Sequence, residues 1–143
     1  MTDTKPETIV RDARREHLTA IMTFIADKCS SAGVASDAAH DIRLAVEEIV
    51  TNVIEHGYAG TAPGPVLLRF QRDRANVVIT VEDLAAPFDP TRVPRPDHNA
   101  PLEQRPVGGL GWHLANAVMD DVRHESLTPH GNRFTLTKRL PRA

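Results

Sequence analysis

Leu44-Ala45-Val46-Glu47-Glu48-Ile49-Val50-Thr51-Asn52-Val53-Ile54-Glu55-His56-Gly57-Tyr58 is the stretch on which the reading of this chain turns. Ile42, Val46, Ile49 and Val53 recur at three- and four-residue steps, which predicts one apolar face of a helix running from Ser36 to His56 and ending at Gly57. At roughly 100° per residue, Asn52 lies to one side of that stripe with Glu48 beyond it, and Glu47 falls on the far side. A carboxylate and an amide one turn apart therefore flank the apolar stripe. Such groups cost free energy when buried unless something polar meets them, so either the protein satisfies them or a ligand does.

Working outward, Ser36 is the expected N-cap of this helix, Asp37 suits its dipole, and Gly57 is the expected left-handed residue at its end. Upstream, Thr8 to Arg11 reads as a short edge strand or an arm. His17, Leu18, Ile21, Met22, Ile25 and Cys29 then mark a first amphipathic helix that Gly33 ends. Downstream, Val66, Leu68 and Phe70 alternate with more polar neighbours. A turn at Asp73-Arg74-Ala75-Asn76 leads to Val77, Ile79 and Val81, giving a β-hairpin. Residues 89–107 show almost no periodicity and hold prolines at 90, 94, 96, 101 and 106, the pattern of a lid, a binding loop or a linker. A third helix follows with Leu114, Ala117, Val118 and Val122 as its apolar face, then a second hairpin from Val122 to Leu140. Helices interleaved with antiparallel strand pairs predict an α+β fold, a two-layer sandwich with helices on one face of a mixed, mainly antiparallel sheet.

The 143 residues suffice for a single domain with its own core, and 41% hydrophobic with 25% charged residues is an ordinary globular balance. Aromatics make up only 4%, so aliphatic side chains must fill that core. A net charge of −2 offers no broad basic surface, which argues against direct nucleic-acid binding; Lys138, Arg139 and Arg142 read as a solvated tail. The single cysteine, Cys29, fits packing in a reducing compartment. With no apolar leader and no run long enough to span a bilayer, the expectation is a cytoplasmic protein that makes no membrane contact.

Two further features carry chemistry. Gly108-Gly109-Leu110-Gly111 opens the third helix, and it is either a hinge or a cradle whose backbone N–H groups face an anion at the helix N-terminus. It lacks the Gly-Lys-Ser/Thr of a Walker loop, and a proline-rich loop rather than a strand precedes it. Asp83 closes the strand from Asn76, where it either caps a turn or accepts a hydrogen bond from an exocyclic amine such as that of adenine.

In this order, the Glu-x-x-x-Asn step, the strand-end aspartate, the long loop and the glycine-rich helix start resemble the Bergerat-fold ATPases, the GHKL family of gyrase, the mismatch-repair ATPase and the sensor histidine kinases. The likeness is strongest to the stand-alone serine-protein kinase and anti-sigma factor branch. Residues 44–58 are similar to its N box, 81–90 to its G1 box, 108–121 to its G2 box, and 132–138 to its closing strand, over a core of about residues 8–140. The resemblance implies that Asn52 coordinates Mg²⁺ on the phosphates of ATP and that Glu48 is the general base. It implies that Asp83 receives the adenine amine, and that Gly108, Gly109, Leu110 and Gly111 contact phosphate. It makes residues 89–107 the ATP lid, in which Arg105 reaches the γ-phosphate or stays solvated. His56, one turn beyond Asn52, either lies at the site or caps and packs the helix end. Ala85 departs from the family's pattern, standing where the G1 box carries glycine, and a methyl group there predicts a shifted loop or weaker nucleotide binding.

The implied function is an ATP-dependent serine kinase acting as an anti-sigma or partner-switching regulator, with a sigma factor or other effector and a STAS-type anti-sigma-factor antagonist as partners, working as a homodimer. The alternatives are a sequestering module that transfers no phosphate, and a detached histidine-kinase catalytic domain.

Overall fold

Alternating side chains at Val66, Leu68 and Phe70 and at Val77, Ile79 and Val81 all turn to one side of the sheet, where each is buried. In a computed structural model of the chain, which describes residues 5–87 and 109–141, these residues belong to strands β2 (Pro65–Arg72) and β3 (Asn76–Asp83). Strand β1 (Glu7–Asp12) adds to the free edge of β2, and β4 (Asp121–Ser126) with β5 (Asn132–Arg139) forms the second hairpin. The sheet order is β1-β2-β3-β5-β4. Each neighbouring pair is antiparallel, so the expected mixed sheet is antiparallel throughout its described strands. The join between hairpins is the β3–β5 ladder, which sets Val81 opposite Phe134 and Asp83 opposite Asn132.

Three helices cover the buried face: α1 (Leu18–Ser31), α2 (Ser36–Asn52) and α3 (Gly109–Val118). Ile21 and Ile25 of α1 and Ile42, Val46, Ile49 and Val50 of α2 pack on the strand valines and leucines, an aliphatic core as the composition predicts. None of the described helices is long and apolar enough to cross a membrane.

Several sequence expectations give way to tertiary geometry. The residue that caps α2 is Ala35 in an extended conformation, with Ser36 already inside the helix; Asp37 Oδ1 accepts the Ala38 N–H at 2.9 Å. The α-helix stops at Asn52, and Val53–Gly57 continue as a wider π-helical turn. The left-handed reversal falls at Gly60 (φ 81) rather than at Gly57, because the π turn carries the chain past that point without one. Among the described side chains of α3, Ala115 is buried, as is Met119 just beyond its end, while Ala117 is exposed and Leu114 and Val118 are half-buried. The helix lies alongside α2, and the small Ala115 permits that approach. Lys138 is no solvated tail: its side chain is 16% exposed, 2.9 Å from Asp41 of α2, and it donates to the Val118 carbonyl at 2.7 Å, tying β5 to two helices.

Gly131, in the turn before β5, has φ 125, and a β-carbon there would sit 2.4 Å from the Asp83 carbonyl oxygen. Gly131→Ala is expected to cost about 1–3 kcal/mol from torsional strain, with the steric clash added, since the opposing atom is backbone and not a movable side-chain end. Urea denaturation of the two proteins, compared by midpoint, checks this.

Candidate functional site

The end of α2 with the π turn after it, the end of β3, the start of α3 and the start of β5 converge on a cavity of about 240 Å³. Ile49, Val53 and Gly57 form its helical wall, with Asn52 and His56 presenting polar groups from the same edge. Trp112 and Phe134 form the opposite wall, their rings tilted at 57° with centroids 6.2 Å apart. The polar floor is Asp83 with Asn132, and the Ala86-Pro87 segment borders it. Apolar walls around a few placed polar groups are the usual makings of a small-molecule site.

Asp83 is 4% exposed. Its Oδ1 accepts the Asn132 Nδ2 hydrogen at 2.9 Å and the Ala85 N–H at 3.0 Å. Burial nevertheless raises its pKa above the usual carboxylate value, the hydrogen bonds from Asn132 and Ala85 only partly opposing the desolvation. A carboxylate held at the floor of an apolar cavity is set to accept an N–H from an enclosed ligand. The loop after it is pinned by Tyr58, whose hydroxyl accepts the Leu84 N–H at 2.8 Å and donates to the Pro65 carbonyl at 2.6 Å.

Glu48 stands one turn before Asn52 and does not line the cavity. It is half-buried, and its pKa is raised by desolvation and then by the charges of Glu47 and Glu55. His56 is exposed at the rim, its Nε2 lying 3.7 Å from Glu55, which Arg15 also meets at 2.6 Å. The structure thus brings Asn52, His56 and Asp83 to one cavity and sets Glu48 beside it. Gly109, Leu110 and Gly111 form the first turn of α3, while Gly108, Arg105 and the proposed lid at 89–107 lie outside the described residues.

Ala85 lies with its methyl group off the cavity lining. It is 4% exposed, and its β-carbon packs toward the α2 end, 3.6 Å from where a β-carbon on Gly57 would stand, while the cavity lining takes Ala86 and Pro87 instead. No described non-glycine residue has a positive φ, so the loop at Ala85 asks for no glycine torsions. Asn132, Trp112 and Phe134 are lining residues that the sequence reading did not assign to the site. The signal available for Asn132 was a polar residue next to a glycine, at the head of a strand and in line with the apolar Phe134 and Leu136. Only the β3–β5 register reveals that it faces Asp83.

A family model described as the histidine kinase-like ATPase domain matches residues 12–138. The chain belongs to this family. Among curated relatives, it is 29% identical over 134 residues to the serine-protein kinase RsbW of Bacillus cereus, spanning 91% of this chain and 82% of the relative. It is 28% identical, with the same coverage, to the serine-protein kinase RsbW of Bacillus thuringiensis. Its fold is similar to the crystal structure of the RsbU and RsbW domains of Rv1364c from Mycobacterium tuberculosis, with a TM-score of 0.69 at 24% identity; the match covers 98% of this chain and 34% of that longer one. The histidine kinase domain of a blue-light activated kinase from Erythrobacter litoralis matches more loosely, with a TM-score of 0.51 at 17% identity over 86% of this chain and 61% of that one. The antiparallel sheet with helices on one face is consistent with the GHKL fold of that family.

Proposed function

We propose that this protein is an ATP-dependent serine-protein kinase working as a partner-switching anti-sigma regulator. In one state it holds a sigma factor or other effector. In another it binds a small STAS-type antagonist and phosphorylates a serine on it. The observation that carries the nucleotide reading is the buried Asp83 carboxylate at the floor of an apolar-walled cavity with Asn52 on its edge. The kinase assignment is supported by the family and by the RsbW relatives.

Adenine would enter between Val53 and the Trp112–Phe134 wall with its amine toward Asp83. The glycines at the start of α3 would offer backbone N–H groups to the phosphates, aided by the helix dipole. Asn52 offers one neutral amide oxygen, and no group of three or more His, Cys, Asp or Glu side chains able to hold a metal gathers among the described residues. Together with nucleotide phosphates, that amide oxygen would hold Mg²⁺, and the ion would supply charge neutralisation during transfer. The serine hydroxyl of the antagonist would attack the γ-phosphorus, forming the Oγ–P bond as the bond to the β-phosphate oxygen breaks. Glu48 would take the hydroxyl proton and ADP would leave. His56 at the rim would lie near the phosphates, and Arg105 is a candidate for the γ-phosphate. A homodimer in the cytoplasm is part of this reading, and static light scattering of the purified protein measures the dimer.

Calorimetric titration of wild type and Asn52→Ala with ATP, with and without Mg²⁺, tests the site. Wild type is expected to bind in a magnesium-dependent way, and Asn52→Ala to lose tenfold or more of the affinity gained from magnesium. Undetectable ATP binding by the wild type with Mg²⁺ present overturns the enzymatic reading.

A further inference from the structure

We propose that His124 and Asn132 form a positioning relay that makes the cavity selective for a base with an exocyclic amine at its Asp83 edge, adenine, over one with a carbonyl there, guanine. The proposal rests on the reading of this cavity as a nucleotide site. Asn132 is 2% exposed, and its amide meets Asp83, Ala86 and His124. Nδ2 lies 2.9 Å from Asp83 Oδ1 and 3.0 Å from the Ala86 carbonyl oxygen. Both are acceptors, so this end of the amide must be the NH₂ group, and each of its two hydrogens has an acceptor. The other end, Oδ1, lies 2.7 Å from His124 Nε2, which must therefore carry a proton and donate. His124 is itself held against the Phe134 ring, with centroids 5.0 Å apart at 50°.

The consequence is a fixed polarity. His124 anchors the amide oxygen from β4, and the anchored amide directs its hydrogens at Asp83 and Ala86. An amide held in this way keeps its hydrogens away from a base carbonyl, and the carboxylate beside it repels one. An amine finds the acceptor it needs. Sites that hydrogen-bond a ligand N–H reject an analogue lacking it far more strongly than apolar pockets separate isosteres, by roughly 10⁴–10⁵ in well-built cases. If His124 is lost, Asn132 Oδ1 loses that hydrogen bond, the amide is held in its orientation less firmly, and one N–H can turn to a guanine carbonyl.

The test is calorimetric binding of ADP and GDP to wild type, His124→Phe and His124→Gln. Phenylalanine keeps the ring contact and removes the donor, whereas glutamine restores a donor of similar reach. The expected result is a strong ADP preference in wild type, a fall of at least tenfold in the ADP/GDP ratio in His124→Phe, and a ratio near wild type in His124→Gln. An unchanged ratio in His124→Phe, or equal losses in both variants, overturns the relay while leaving wild-type ADP binding intact. Failure of the wild type to bind either nucleotide overturns the nucleotide reading and the relay with it. If His124→Phe does not fold, Asn132→Ser supplies the test: its hydroxyl is too short to span from Asp83 to His124, and the same tenfold fall is expected, with an unchanged ratio counting against the proposal.

Discussion

Glu48→Gln is expected to bind Mg-ATP as the wild type does and to lose phosphoryl transfer by about 10²–10⁴-fold, the contribution of a positioned general base. Glutamine keeps the shape and the hydrogen-bonding reach of the side chain but cannot take a proton. Glu48 sits beside the cavity rather than in its lining, so nucleotide contacts do not depend on it. Its raised pKa, caused first by desolvation and then by Glu47 and Glu55, makes it a stronger base than a free glutamate. The same shift gives a pH signature. The base works only when ionised, so transfer should fall as pH drops through its raised pKa, on a limb displaced upward from that of an ordinary glutamate. Incorporation of radiolabelled phosphate into serine of a STAS-type antagonist, followed against pH for both proteins, measures it. Tight antagonist binding by wild type with no phosphate transferred would make the protein a sequestering module. Acid-labile phosphohistidine on a partner would point to the histidine-kinase alternative.

Asp83→Asn is expected to separate binding from stability. The asparagine oxygen can still accept the Asn132 and Ala85 hydrogens that Oδ1 accepts now, so the loop keeps its anchors. The charge-assisted acceptor for an adenine amine is lost, worth about 1.5–3 kcal/mol or roughly ten- to 150-fold in Kd. Stability should move the other way. Because burial raises the folded-state pKa of Asp83, the folded protein binds this proton more readily than the unfolded chain does. The wild type therefore loses stability as pH rises from the unfolded pKa through the folded one. Asparagine does not titrate, so the variant's Tm relative to wild type should be higher at neutral pH than at acid pH. Melting curves from about pH 4 to 8 and ATP calorimetry check the two halves. A lower Tm with unchanged ATP affinity would make Asp83 a turn cap and nothing more.

How much of this was legible beforehand depended on the kind of information each residue carries. The apolar stripe of α2 was readable because helical periodicity is local, and Ile42, Val46, Ile49 and Val53 are all buried where the spacing put them. Alternation located the strands of the first hairpin for the same reason. The ends of elements were less readable. Ser36 against Ala35 as the cap, and Gly57 against Gly60 as the reversal, turn on where a π turn and the tertiary contacts let the chain leave the helix. The burial of Ala115 and Met119 instead of Ala117 likewise depends on how α3 meets α2, which a short alanine-rich pattern leaves open.

The sequence by itself determined the α+β class, the order of elements, the aliphatic core and the pairing of Glu48 with Asn52, since all of these follow from spacings within one helix or one strand. Only the tertiary structure decided what surrounds Asp83. Its contact with Asn132 joins residues 49 positions apart, and the reach from there to His124 crosses to another strand. The direction of the Ala85 methyl group was decided in the same way, by the end of α2 packing against the loop after β3. Register between strands from different hairpins is set by the whole sheet and the helices on it, so no local pattern could have placed those groups together.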